Sequence, residues 1–401
     1  MPSLIAWLDA SADEQRRMRE LVALFSLADS RDELGLGQIR DATSDALFPG
    51  TSTLHTRARY ALLVPWCFEH AARSKHPARR LDELERGLIG VLKQSTDSDG
   101  LLGATAGRAL KNLPSTVYWS MLERWGILAR GASRAEALAL SKPHAVAGGE
   151  EGEPGAWSSI WMTPPPAAGF PHDLHDGLSL ASHEAVWLQE RILESAPGTL
   201  LAHFATTKPS RESPAPWDDP RAAEAPERPK HLLHQAQLFS SVVQGAQLLY
   251  NLLVAQECQA TGIGPQDLRG EPVVDLYRRE LADWAATLHI VQGVEAWSVD
   301  SLLGTLATER GAPLPVAAGA RAFVREWTHI VQGIDPSTIA DNRAAQDAVT
   351  RRERMKGGKA RLGNPQRLAA WSGESGRGAL RFRWPVVRTI LTDIHDGLAR
   401  V

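Results

Sequence analysis

Apolar residues recurring three and four positions apart are the strongest constraint on this chain. Leu81, Leu84, Leu88 and Leu92 repeat at that spacing, as do Met18, Leu21, Val22 and Phe25. Leu233, Leu238, Val242, Leu249 and Leu253 extend the same stripe over a long segment. A period near 3.6 puts such residues on one face of a helix, so each segment must bury its stripe against another. Strand-like alternation is scarce: Leu380–Trp384 is the best case, with a short hairpin or wing after Leu128 as a second candidate. The expected fold is therefore mainly α.

The helices fall into three regions. In residues 1–142, helices are expected over 11–28 (opened by the capping box Ser11-Ala12-Asp13-Glu14), over 30–46 (opened by Ser30-Arg31-Asp32-Glu33), over Leu54–Arg73 with a kink at Pro65, and around Leu81–Leu92. Residues 143–230 form a proline-rich connection: twelve of the 25 prolines lie between 154 and 229. The first run is interleaved with Trp157, Trp161 and Phe170 and reads as packed, with a helix over Leu180–Glu194 after it. The second, Pro209 to Pro229, reads as an exposed polyproline linker. Residues 231–401 form a second helical domain, with a long helix over 230–258, further helices over 272–292, 298–309 and 315–333, and a basic tail. The pentapeptide HIVQG occurs at 289–293 and 329–333, with VVQG at 242–245; these read as small glycine contacts between helices or as chance similarity.

Within the first region, Thr105–Ala129 reads as a helix-turn-helix, with a winged-helix-like unit as its variant. Its first helix is expected over Ala106–Leu110, and Pro114 closes the turn. The second helix runs from Thr116 to Trp125, capped by Ser115 and ended by Gly126. Val117, Met121 and Leu122 would face a core, leaving Tyr118, Ser120 and Arg124 nearer the outer face. Double-stranded DNA is the partner such a unit would meet, with Arg108, Lys111, Tyr118, Arg124 and Arg130 as the candidate contacts.

The net charge of −3 gives no global attraction to polyanions, so any must be local. The tail supplies it. Arg351, Arg352, Arg354, Lys356, Lys359, Arg361, Arg367, Arg377, Arg381, Arg383 and Arg388 are set against only Glu353 and Glu374, a local excess of nine positive charges. Arg351, Arg352, Arg354, Lys356, Lys359 and Arg361 are the candidate phosphate contacts, and Gly357-Gly358 would let the backbone approach closely. A solvated face, or a dock for an acidic partner, is the alternative use of the same cluster. Arg57 and Arg59 stand in an otherwise apolar helix; one is expected to face inward, paired with a carboxylate such as Asp41 or Asp45.

The block DELGLGQIRDATSDALFPGTSTLHTRARYALLVPW at Asp32–Trp66 resembles the N-terminal signature of a bacterial family of unknown function. GRALKNLPSTVYWSMLERWGI, LFSSVVQGAQLLYN and the tail KARLGN with LRFRWPVV are similar to its later landmarks. The resemblance implies a genomic neighbourhood, phage-defence islands with helicases and methyltransferases, and no catalytic residue. The expected function is thus a non-enzymatic, nucleic-acid-binding accessory component of an anti-phage defence system. The alternatives are an adaptor docking the helicase or methyltransferase through Trp157, Trp161 and Trp217, and a cryptic metal-dependent nuclease.

Motifs of other chemistries are missing from the sequence. It contains no GxxxxGK[ST], GxSxG or HExxH, and no Asp followed by Glu-x-Lys. His231 with His234, the His172–Asp176 cluster, and Asp393-Ile394-His395-Asp396 lack partners at zinc-motif distance, so neither metal nor cofactor is expected. Two distant cysteines, Cys67 and Cys258, fit a reducing cytoplasm. No leader is expected from the first twenty residues, and no apolar run is expected to span a membrane.

Overall fold

The computed structural model describes residues 32–141 and 160–400. The expected helix at 11–28, Ser30, Pro154 and Trp157 lie outside them. The described residues are mainly helical, and they form two compact units. One, the C-terminal unit, joins residues 32–43 to His234–Leu380; the other, the central unit, joins Ser44–Leu233 to residues 381–400. The division falls within helices α1 (Gly37–Leu47) and α8 (Glu227–Thr261) and between Leu380 and Arg381, not in the proline-rich region.

The central unit is built around α2 (Tyr60–Ala71), which is buried along nearly its whole length, Pro65 included. A helix with no polar face must be covered on all sides. Helices α3 (Pro77–Lys93), α4 (Pro114–Arg124) and α5 (Arg134–Ala139) pack on it. A second layer joins α6 (Ser182–Ser195), α7 (Leu200–Thr206) and α14 (Trp384–Leu398). There Gly397 lets α14 approach α6 so closely that a Cβ would lie 2.7 Å from that of Ala185. Helix α2 starts six residues later than its apolar pattern suggests. The reason is that the Thr56 and Arg57 amides donate to Tyr118 Oη at 2.8 and 3.1 Å, and the Ala58 amide to Asp393 at 2.9 Å. The Ala58 amide is the one a helix begun at Leu54 would need for its first i→i−4 bond, and it is committed to Asp393 instead.

The second proline run is not an exposed linker. Pro209, Pro216 and Pro229 are buried, and two single-turn 3-10 helices cover Pro216–Asp218 and Pro220–Glu224. Buried Asp219 organises the run, accepting from the Ser210 and Arg221 amides and from Ser213 Oγ at 2.8 to 3.0 Å. Leu380–Trp384 is not a strand either. Phe382 and Arg383 have φ of +49° and +65°, and α14 begins at Trp384. The wing position after Leu128 is held by one antiparallel bridge to Trp161.

The C-terminal unit is organised by α8, 35 residues long. It is long and apolar enough to cross a membrane, but 78% of its most apolar 18-residue window is buried inside the fold, as in a core helix. Three indoles dock on its 234–261 portion: Trp284 Nε1 donates to the Ser241 carbonyl at 2.7 Å, Trp327 Nε1 to that of Val242 at 2.8 Å, and Trp297 Nε1 to Gln235 Oε1 at 2.9 Å. Gly245, in the VVQG copy, lies under the Trp284 ring, where a Cβ would come within 2.4 Å. Gly333 has open space around it and Gly293 is a left-handed turn residue, so the pentapeptides share no packing role. The remaining elements are α9 (Val273–Leu288), α10 (Val299–Arg310), α11 (Ala318–Gly333), α12 (Arg343–Arg354), α13 (Pro365–Ala369) and the two-residue antiparallel strands β1 (Asp267–Leu268) and β2 (Glu271–Pro272).

Candidate nucleic-acid interface

The tail cations begin on α12. Asn342 caps it, its side chain accepting from the Ala345 amide at 3.0 Å, and Ala345, Ala348, Val349 and Glu353 form its buried stripe. Arg351, Arg352 and Arg354 occupy the last turn, where the unpaired carbonyls of a helix end favour positive charge. After the helix, Lys356 is right-handed (φ −73°, ψ −7°) and Gly357 left-handed (φ +58°). Consecutive right- and left-handed residues turn successive amides into a concave, anion-accepting nest. Gly357 and Gly358 are exposed and their N–H groups make no hydrogen bond among the described residues. Exposed Lys359 follows, and Arg367 Nε reaches the Gly358 carbonyl at 3.4 Å, which sets a further exposed cation at the nest.

The rest of the predicted cluster is spent inside the molecule. Arg361 is buried, its guanidinium 2.5 Å from both Glu33 and the Tyr250 hydroxyl. Lys356 pairs with Glu33 at 2.6 Å and with buried Glu353 at 3.2 Å, and sits over the Tyr250 ring. Burial pushes the Glu33 carboxyl up, but Lys356 and Arg361 outweigh it and hold it below the usual carboxylate range. Arg352 is half-buried, donating to the Leu34 carbonyl at 2.7 Å and lying against Gly35, where no Cβ would fit. Arg351 pairs with Glu326 on the surface, and Arg377 with Glu280. Apart from Glu353 beside Lys356 and Glu374 beside Arg377, the partners lie 25 to more than 300 residues away, so sequence cannot distinguish these from free cations. Arg354 and Lys359, and also Arg367, are the exposed cations of 351–377 with no carboxylate partner among the described residues.

In the central unit the helix-turn-helix reading needs correction. The expected first helix is a single 3-10 turn, Gly107–Ala109, too short to buttress a reading helix. Helix α4 does end at left-handed Gly126, but Pro114 begins it and Ser115 does not cap it. Instead the Ser115 amide and hydroxyl bond the buried Glu85 carboxylate at 2.7 and 2.9 Å. Tyr118 is wholly buried, stacked on His55 with ring centroids 4.4 Å apart. Its hydroxyl donates to the Arg57 carbonyl at 2.9 Å, and burial raises its pKa to about 12. It faces the core and cannot touch DNA. Arg108, Lys111, Arg124 and Arg130 are exposed, as expected.

The most elaborate polar cluster of this unit is internal. Both Arg57 and Arg59 are buried, because they precede α2 rather than lie on it. Arg57 pairs with Asp97 at 2.6 Å and Asp393 at 2.9 Å, and Arg59 with Glu184 at 2.9 Å. The Arg57 hydrogen bonds draw the Asp97 carboxyl down to about 2, whereas burial lifts that of Asp393. Burial lowers His55 to about 3, so its ring stays neutral. These groups bond one another and the nearby backbone, and Arg59 Nε is left buried without a hydrogen-bond partner among the described residues. The candidate metal residues are likewise occupied or dispersed: Asp396 pairs with Lys208 and Arg211, and His395 Nε2 lies 2.9 Å from the Phe204 carbonyl. Among the described residues no group of three or more His, Cys, Asp or Glu could hold a metal ion. Of the adaptor's aromatics, Trp161 is buried, bonded to Ser141 at 2.8 Å, and Trp217 packs edge-on to Phe382.

Comparison with curated proteins finds no match, and comparison with solved structures finds none. A family model described as a family of unknown function (DUF6361) matches residues 2–397, nearly the whole length, and the chain belongs to that family.

Proposed function

We propose that this chain is a non-enzymatic, nucleic-acid-binding accessory component of a bacterial anti-phage defence system, and that it grips the phosphate backbone with the end of α12. The observation that carries the reading is the open amide nest at Gly357 and Gly358, beside Arg354, Lys359 and Arg367. Amides and cations of this kind contact phosphate oxygens and carry no base information, so the binding is sequence-independent and duplex DNA is an adequate ligand. The chemistry of such a system would rest with a partner helicase or methyltransferase. This follows from the genomic neighbourhood that the sequence resemblance implies.

The test is the affinity of the full chain for a fluorescently labelled 20-base-pair DNA duplex. The charge reversals Arg354→Glu, Lys359→Glu and Arg367→Glu are introduced together; all three side chains are exposed, so folding should survive. Binding by the wild type and its loss in the triple variant support the reading. A wild type that fails to bind at 50 mM salt, or a triple variant that binds as well as wild type, overturns it.

A further inference from the structure

The end of α12 carries an exposed apolar side chain that phosphate binding does not use. Met355 is 65% exposed, an unusual state for a large apolar residue, and stands between Arg354 and Lys356. Nor does it swing freely. The Arg352 guanidinium donates to its sulfur at 3.8 Å, and its methyl lies against α11 at Gly319, where a Cβ would come within 3.2 Å of Cε. Arg352 is itself held by the Leu34 carbonyl and lies over the Phe323 ring. The thioether is thus a fixed apolar projection next to the phosphate nest.

Resting on the reading above, we infer that this surface prefers unpaired nucleotides to duplex, with Met355 packing against an exposed base while the nest and its cations hold the adjoining phosphates. In a duplex the faces of the bases are stacked on one another and only their edges are reachable. In a single strand every base offers an apolar face to a side chain beside the backbone. Methionine is polarizable and unbranched, and it serves as an apolar contact or wedge against bases. Cations alone would favour the opposite order, since a duplex carries the higher charge density. A preference for the single strand therefore reports the apolar contact.

The experiment compares a 20-nucleotide mixed-sequence single strand with its duplex at 50 mM salt, using the full chain, Met355→Ala and Met355→Leu. The wild type should bind the single strand more tightly. Met355→Ala should lose about fivefold on the single strand, the low end of what one base contact contributes. It should leave duplex affinity unchanged, and Met355→Leu, which stays apolar, should restore most of the loss. Equal wild-type affinities, or a Met355→Ala loss shared by both forms, overturn the inference and leave the phosphate-binding reading standing. Failure of the wild type to bind either form overturns both.

Discussion

Replacing Arg354, Lys359 and Arg367 together by alanine should flatten the salt dependence of nucleic-acid binding, and the structure sets how steep that dependence is to begin with. Each phosphate neutralised on duplex DNA releases condensed counterion, giving a slope of about −0.9 per contact in a plot of log K against log salt. The sequence between 351 and 388 holds eleven cations and on that basis predicts a slope of about −10. In the folded chain Arg352, Lys356, Arg361 and Arg377 are committed to internal carbonyls and carboxylates, Arg383 to Asp45 and Arg388 to the Ser213 carbonyl, and the proposed grip uses only Arg354, Lys359 and Arg367. Three free cations then give a slope of about −2.7, or about a 40-fold loss of affinity between 50 and 200 mM salt. Arg351 could add a fourth contact, because its surface pair with Glu326 is worth at most about 1 kcal/mol, and the slope would reach about −3.6. Fluorescence anisotropy at four salt concentrations measures it. A wild-type slope steeper than about −6 would mean that the buried arginines leave their partners to bind. An alanine variant that keeps the wild-type slope would mean that the contacts lie elsewhere; either result refutes the reasoning.

Three further outcomes follow from the packing and ionisation of the two units. Gly245→Ala drives a methyl into the Trp284 ring and should cost about 2–3 kcal/mol by overpacking, whereas Gly333→Ala meets open space and should be neutral or slightly stabilising; thermal melts of the two variants compare them directly. Arg57→Met strands the buried Asp393 carboxylate and should cost about 3–5 kcal/mol in urea unfolding, with part of the loss regained in the double variant with Asp393→Leu. All four tyrosines, Tyr60, Tyr118, Tyr250 and Tyr277, are buried with pKa values raised above the usual value by desolvation, Tyr118 to about 12. Because the folded state favours the neutral phenol, this stabilisation is complete below pH 10 and is lost as the pH rises through the folded values. Ultraviolet titration should therefore show almost no phenolate at pH 10, and half-ionisation there would contradict the burial.

Much of the helical skeleton was legible because its signal is local. The stripe at Leu81–Leu92 marks α3, and helices expected over Leu180–Glu194, 272–292, 298–309 and 315–333 lie within a few residues of α6, α9, α10 and α11. The misreadings share a physical cause. Tyr118 falls outside the Val117, Met121 and Leu122 set read as the core face, but its hydroxyl is claimed by the backbone at 56 and 57; the second proline run looks extended until Asp219 gathers it. In the first a partner 61 and 62 residues away overrides local propensity, and in the second a buried carboxylate within the run itself does so.

The candidate site shows the same split. Its cations, its glycines and its position after a helix are all properties of contiguous residues, so the sequence determined where positive charge accumulates. Which charges remain free was decided only in three dimensions, because neutralisation depends on a carboxylate arriving within about 4 Å, and Glu33 reaches Lys356 and Arg361 from more than 300 residues away. Periodicity is written in neighbours three and four apart, whereas the pairs that Glu33 makes require two chain segments that only folding brings together.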